Sequence, residues 1–428
     1  MPFKTFDECV NYLFSLKRNV PFQLLSLDVP RRLFDELNID LAKFYKIQVV
    51  GTNGKGSTCA FLESILYETG YKVGATFSPH LVEPTERIRI NKKEMDKNSF
   101  IELCNIVKKT VEMAFNFGRF NYYPTFFEHV TAMALLAFDR EGVDFAVLET
   151  GLGGRFDAVT AANADIIAFT PISYDHEAIL GETLEKITCE KGAVLREKVF
   201  AISTTQLPQV KNVLDEIACR KGAVLIYDDY VTVIGEDYVS FRSKKYEINH
   251  VKLGLNGKHQ ISNARLALAV CDYLKPSLIS EKIKLGLENV NHPGRLQLIE
   301  NFLLDGAHNP AGAKVLSDFL VEHNAKNLIA ILAVMKSKNW REILKLILPF
   351  CSEVIFPKMG ENFVEPEELA DFASQESSLS YSLAPDTKSA ITLAKNLSTK
   401  VQSKFLLVTG SLYLVGHAIK ILKETHSD

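Results

Sequence analysis

One stretch constrains the fold more than any other: Lys46-Ile-Gln-Val-Val-Gly-Thr-Asn-Gly-Lys-Gly-Ser57. An apolar run breaks into a glycine-rich turn that carries a lysine and then a serine. Beyond it, Phe61, Leu62, Ile65 and Leu66 recur at helical spacing, and Gly70 marks a stop. Strand, glycine loop and helix in that order form a phosphate cradle. Backbone N–H groups wrap a polyphosphate, Lys55 neutralises it and Ser57 can hold a magnesium ion. A nucleoside triphosphate is therefore the first expected ligand. The loop departs from the commonest phosphate-loop string, because Val49 stands where a glycine is usual and Gly56 separates Lys55 from Ser57. The competing reading is a Gly/Asn turn with a solvated lysine. Three glycines with Asn53, Lys55 and Ser57 in seven residues weigh against it.

The first third of the chain repeats this alternation. Strands are expected at 46–50, 73–77, 145–149 and 166–171, with helices near 58–69 and 127–141, which predicts a mostly parallel sheet covered by helices on both faces. Residues 199–255 are strand-rich and read as an antiparallel addition at the sheet edge, and 257–274 read as a helix. After Pro293-Gly-Arg295 a second α/β unit begins. Its strands are expected at 303–305, 328–334, 354–357 and 405–409, and its helices at 311–324, 338–349, 366–374 and 387–397. The expected division is 1–293, binding ATP and substrate, and 294–428, a smaller Rossmann-like domain.

Bulk properties exclude several classes. A net charge of -3 on 428 residues gives no electrostatic reason for nucleic-acid or anionic-membrane binding. No apolar run reaches membrane-spanning length, and Met1–Glu8 does not read as a secretory signal. Seven cysteines, scattered singly, argue for a reducing compartment without a disulfide framework or a cysteine zinc site. A cytoplasmic protein is expected.

Four clusters beyond the loop can carry chemistry, most of them at strand ends, where ligands gather in open α/β sheets. Glu149, at the end of Phe145-Ala-Val-Leu-Glu149, runs into Thr-Gly-Leu-Gly-Gly154 and can hold Mg²⁺ beside a phosphate loop. Asp175-His176-Glu177 offers a histidine that is either a metal ligand, a base or structural. Glu190-Lys191-Gly192 reads, from its chemistry alone, as a solvated charge. Asp305-Gly-Ala-His308-Asn309-Pro310 reads as a strand end, then an Asn cap with Pro in the first helical turn. That cap leaves Asp305 and His308 unexplained, and Arg295 upstream is a candidate phosphate ligand.

Taken in order, Gly51–Ser57, Ser78-Pro-His80 with Thr85–Arg89, Glu149–Gly154, Asp175-His176, Glu190-Lys-Gly, Pro293–Arg295 and Asp305–Pro310 resemble the folylpolyglutamate synthase/dihydrofolate synthase family of the Mur ligase superfamily. The resemblance runs from about residue 20 to the C-terminus and accounts for the variant loop. It implies a ligase that phosphorylates a folate or dihydropteroate carboxylate with ATP and then joins L-glutamate through its amine. It also implies that Asn53, Gly54, Lys55, Gly56 and Ser57 hold the triphosphate, with Asn263, Arg295, Asp305 and His308 as further nucleotide contacts. Two Mg²⁺ sites follow, one on Ser57, Ser78 and Glu149 and one on Glu149 and His176, with a monovalent cation as a further candidate. Lys191 matches the family's carbamylated lysine. Lys55, Lys191, His176 and His308 form the implied catalytic set.

The acceptor's pterin end is placed by the same resemblance against Thr125, Phe126, Phe127 and Glu128 and near Phe156, Asp157 and Ala158. Ser78–Arg89 resembles the family's mobile substrate loop, and a monomer is implied. There are three departures from the family pattern. Gly306 replaces a common valine, Glu177 follows His176 where threonine is frequent, and Phe22–Pro30 has no clear match to the family's pterin-contacting segment. Two other readings are weighed: a Mur-type ligase for another acceptor such as a cell-wall precursor, and a non-catalytic nucleotide-binding regulator. The folate-like Pro124–Glu128 loop argues against the former, and the complete set of reactive residues against the latter.

Overall fold

The computed structural model describes residues 1–16, 25–274, 278–377, 379–399 and 404–424. The chain divides into two compact units. The first comprises Met1–Ser173, Glu177–Gly254 and Ile261–Val290, and the second Tyr174–His176, Leu255–Gln260 and Asn291–Asp428.

In the first unit the strands are β1 (Tyr45–Val50), β2 (Val73–Thr76), β3 (Ile88–Ile90), β4 (Lys93–Glu94), β5 (Phe145–Glu149), β6 (Ile166–Phe169), β7 (Phe200–Ser203), β8 (Val224–Tyr227), β9 (Thr232–Ile234), β10 (Val239–Arg242) and β11 (Glu247–Val251). Eight form one sheet in the order β4-β3-β2-β5-β1-β6-β7-β8. From β2 to β8 all pairings are parallel, while β3 and β4 add antiparallel to the β2 edge. The central strands are apolar runs because parallel strands are buried on both faces; β5 is buried along its whole length. Besides the buried Lys46, Gln48 is the polar exception in β1. Its Nε2 donates to Thr150 Oγ1 and Thr160 Oγ1 at 3.0 and 2.9 Å, which satisfies its buried amide hydrogens.

The antiparallel edge is thus made by 88–94 rather than by 199–255. Strands β7 and β8 continue the parallel sheet, because the 14-residue helix Pro208–Lys221 supplies the crossover that parallel pairing needs. That helix starts with proline in its first turn and stops at Gly222 in the left-handed region. Strands β9, β10 and β11 form an antiparallel sheet of their own.

The second unit has β12 (Gln297–Ile299), β13 (Phe302–Leu304), β14 (Leu328–Leu332), β15 (Cys351–Pro357), β16 (Ser380–Ala384) and β17 (Leu406–Thr409), in the order β12-β13-β17-β14-β15-β16. Only β12 pairs antiparallel. The helices Pro310–Glu322, Trp340–Ile347, Pro366–Glu376 and Thr387–Ser398 fall where the sequence places them. No helix among the described residues is long and apolar enough to cross a membrane.

Candidate active site

The glycine loop leaves β1 and enters the helix Lys55–Glu68 through Gly54, which caps it at φ +86° with no side-chain hydrogen bond. The helix therefore begins with backbone donors that no cap satisfies, a standing site for an anion. Two glycines are required by neighbours. A Cβ on Gly51 would lie 1.9 Å from Thr170 Oγ1, and one on Gly54 would lie 2.4 Å from Asn263 Oδ1. Asn263, expected at the nucleotide, is thus against the loop and buried. The loop is pinned to the end of β6, where Thr52 N donates to Pro171 O at 2.9 Å and Thr52 Oγ1 to Ser173 O at 3.0 Å.

Two lysines converge on loop carbonyls. Lys55 Nζ donates to Thr52 O at 2.9 Å, and Lys191 Nζ donates to Gly51 O at 2.7 Å. Lys191 is 5% exposed. Its chemistry read alone as a solvated charge is therefore corrected: the helix Leu184–Gly192 turns it inward. The glycine loop after β5 packs on that helix, since a Cβ on Gly154 would lie 2.8 Å from Lys191 O. Arg155 closes the contact by donating to Glu190 Oε1 at 2.8 Å.

Parallel register puts Glu149 beside Val49, two residues before the loop. Glu149 is buried and accepts from Ser78 N at 2.8 Å. Ser78 Oγ is buried with no hydrogen-bond partner among the described residues, and Ser57 is buried in the first turn of the loop helix. An orphan hydroxyl beside a carboxylate suits a hard cation that takes its remaining ligands from phosphate and water. No group of three or more His, Cys, Asp or Glu side chains is placed to hold a metal among the described residues. One carboxylate with serines is the donor set magnesium accepts and zinc does not.

In the second unit, Asp175 is a buried hub. It accepts from His176 N at 2.8 Å, from Asn309 Nδ2 at 3.0 Å and from Lys338 Nζ, and His308 Nε2 lies 3.6 Å away. Burial works against its charge, but His308 beside it and the charges of Lys338 and His176 hold the carboxyl well below the usual carboxylate range. His176 sits at φ +55° with an exposed ring, its Nε2 3.1 Å from Lys338 Nζ. Asn309 is the helix cap expected, accepting from Gly312 N at 2.8 Å, and its amide nitrogen is spent on Asp175. Asp305 accepts from Leu296 N and Ala307 N at 2.9 and 3.0 Å, so it fixes the turn that carries Arg295 and His308; burial raises its carboxyl. Gly306 has a local cause, because a Cβ there would lie 2.2 Å from Leu412 Cδ2. Leu412 fills the space that a side chain at 306 would take.

Lys338 is the residue that sequence reasoning missed. It follows the carboxyl end of β14 in a Lys-Ser-Lys run that reads as solvent-facing, yet its side chain is 7% exposed. The strand-end rule, applied to β14, was the available signal.

The expected acceptor loops divide by role. Thr125 and Glu128 form a capping box at the helix Phe126–Glu141, and Glu128 also accepts from Tyr122 Oη at 2.6 Å. Asp157 accepts from Gly151 N, Leu152 N and Val159 N, while burial pushes its carboxyl up to about 6. Ala158 is buried. Phe126, Phe127 and Phe156 are half-buried, and Phe127 covers Gly151, where a Cβ would lie 2.8 Å from its ring. In Ser78–Arg89, Glu86 gathers the backbone N–H groups of Leu81, Val82 and Glu83. Of Phe22–Pro30, residues 22–24 lie outside the described residues, and Asp28–Pro30 open the helix Asp28–Glu36. Glu177 is exposed.

The profile of the Mur ligase middle domain matches residues 49–271, a span that contains this variant loop and the carboxylate on the neighbouring parallel strand. The profile of the dihydrofolate synthetase C-terminal domain matches residues 297–421. The dihydrofolate synthase/folylpolyglutamate synthase of Bacillus subtilis is 31% identical over 92% of this chain and 94% of its own. The chain belongs to the dihydrofolate synthase/folylpolyglutamate synthase family and is an ATP-dependent acid–amino-acid ligase. Mycobacterium tuberculosis folylpolyglutamate synthase complexed with ADP matches with a TM-score of 0.89 at 27% identity, covering 97% of this chain and 98% of that one. The bifunctional Yersinia pestis enzyme, complexed with AMPPNP and Mn ion, matches with a TM-score of 0.85 at 27% identity over 98% of each chain.

Proposed function

We propose that this enzyme extends folates with L-glutamate and also accepts dihydropteroate, using ATP with a divalent metal. The observation that carries the reading is the Gly51–Ser57 loop, with Lys55 and Lys191 on its carbonyls and Glu149 and Ser78 at adjacent strand ends. The γ-phosphoryl group passes from ATP to a carboxylate oxygen of the acceptor, giving an acyl phosphate and ADP. The glutamate amine attacks the acyl carbon, loses a proton, and phosphate leaves as the amide forms. Both transition states are anionic, so the work falls on positioned cations and N–H donors.

Asn53, Gly54, Lys55, Gly56 and Ser57 hold the triphosphate from the first unit, with Asn263 behind Gly54. Arg295, Asp305 and His308 are the nucleotide contacts we assign to the second, Asp305 acting by orienting its neighbours. Ser57, Ser78 and Glu149 would hold one Mg²⁺, and Glu149 and His176 are assigned to a second; bound there, the metal neutralises phosphate oxygens. A monovalent cation is assigned no residue. Lys191 is assigned a carbamate, which keeps one N–H for Gly51 O while turning a buried cation into an anion. Phe126, Phe127 and Phe156 are the aromatic contacts for the acceptor, and Thr125, Glu128, Asp157 and Ala158 shape the loops that present them. We place the functional boundary at 293/294 and take the enzyme to be a cytoplasmic monomer, with light scattering as the check on mass. All seven cysteines are free thiols, in keeping with that compartment.

The test is phosphate release from ATP with Mg²⁺ and L-glutamate, run in parallel with dihydropteroate, tetrahydrofolate and a muropeptide precursor. Release is expected only when glutamate and a folate-type carboxylate are both present. Release with ATP alone, or only with the muropeptide, defeats the assignment.

A further inference from the structure

The helix Phe6–Ser15 buries Cys9 and Leu13, one turn apart, and is capped by a reciprocal Thr5–Glu8 box. Its next residue, Phe14, is 54% exposed. A single exposed phenylalanine is ordinary. This one is held in a built arrangement. Its ring lies parallel to that of Phe126, centroids 5.5 Å apart and planes 5° from coplanar. The Arg87 guanidinium carbon lies 5.1 Å from the Phe126 ring centroid. Arg87 Nε donates to His80 Nδ1 at 2.7 Å, and the His80 ring lies 6.1 Å from Phe14. The four side chains close a ring.

The helix is also fastened beside this ring. Tyr12, two residues before Phe14, contacts Tyr123 Oη and His129 Nε2, each at 3.0 Å. His129 Nδ1 meets Thr125 O at 3.0 Å, so it carries the proton and Tyr12 donates to Nε2. The N-terminal helix is thereby tied to the residues that cap the Phe126 helix. Because Nδ1 accepts from Arg87, the His80 proton is on Nε2, a donor beside the open ring.

A rigid open aromatic face with a neutral N–H donor beside it and a guanidinium behind it suits a flat, nitrogen-rich heteroaromatic ring. We propose that Phe14 is a specificity-determining residue of this ligase, its exposed face stacking on the flat ring of the acceptor, with Phe126, Arg87 and His80 as the frame that holds it. The inference rests on the folate reading above and extends it to a residue of the N-terminal helix.

The test is a KM split on the intact enzyme. Phe14→Ala should raise the acceptor KM about tenfold, as loss of one stacked ring does, and leave the KM for ATP and for L-glutamate within about twofold. Phe14→Leu, which keeps apolar bulk without a flat face, should fall between. Phe14→Trp should keep the acceptor KM near wild type, and dihydropteroate should quench its emission beyond the quenching seen in wild type, whose one tryptophan is Trp340. An unchanged acceptor KM in Phe14→Ala, with wild type ligating normally, overturns the proposal. Wild type that ligates no folate-type acceptor overturns instead the reading on which it rests.

Discussion

Replacing Lys338 with methionine is the most direct probe of the buried hub. The substitution keeps the apolar stem and removes the cation that Asp175 faces, in a pair whose side chains are each 7% exposed. Unit charges about 4 Å apart attract by about 4 kcal/mol at an effective dielectric near 20, and removing one partner of a buried pair typically costs about 3–5 kcal/mol. Asp175 retains His176 N, Asn309 Nδ2 and His308 as partners. The expected loss is therefore smaller, about 2–3 kcal/mol, or roughly 5–10 °C in the transition of the second unit. The pH dependence makes the test specific. At pH 7 Asp175 is ionised in native and unfolded chains alike. Its native pKa lies below the unfolded value near 4. The resulting stability is fully present above that value and is lost as pH falls from it toward the native pKa. The variant lacks the Lys338 part of this shift, while His308 and His176 still lower the pKa. The gap in midpoint between wild type and variant, measured by calorimetry from pH 7 downward, should hold above about pH 4 and narrow below it. Other carboxylates titrate in both proteins and cancel. A gap that persists unchanged at pH 3, or no gap at pH 7, would refute the reasoning.

Lys55→Ala should lower ligation by about 10²–10³-fold, as loss of a cation aimed at transferring phosphate does, with an unchanged thermal midpoint; near-normal turnover removes Lys55 from the chemistry. Gly54→Ala forces a left-handed alanine against Asn263 and should cost about 1–3 kcal/mol. It should also abolish the rise in melting temperature on adding ADP, and a wild-type response would show that the cradle tolerates the side chain. Lys191 should carry an added carboxylate in a crystal grown near pH 8, and Lys191→Ala should lose activity; an unmodified amine with full activity sinks its assignment.

Much of the fold is legible because parallel strands announce themselves. Ile47–Val50, apolar but for Gln48, and Phe145–Leu148 are runs that stop at glycine or an acid, and that stop is where a ligand loop must start. The helix Lys97–Asn116 is hard to see in the sequence, although Phe100, Leu103, Cys104, Val107, Val111 and Ala114 mark one face and Asp96 caps it. Its exposed face carries enough apolar residues, Met113 and Phe115 among them, to blur the period. The misplaced antiparallel edge has a similar cause: four-residue strands look alike whichever way they pair, and only the intervening helix decides. At the site, glycines and strand-end acids were readable because their positions follow from local geometry. Lys191 read alone, and Lys338, were not. Burial of a lysine depends on which carbonyl or carboxylate the fold brings to it, and Lys338 is 163 residues from its partner.

That separation has a consequence for modularity. Asp175 is translated well before Asn309 and Lys338, yet it belongs to the compact unit they build. A fragment cut at 294 would contain every helix and strand of the second sheet and still lack its buried anion. It would have to house an ammonium group and two side-chain donors around an uncharged gap. The second unit is therefore a module by topology but not by inheritance: a gene fragment encoding it could not be transplanted whole without carrying Tyr174–His176 and Leu255–Gln260, two segments from the middle of the other.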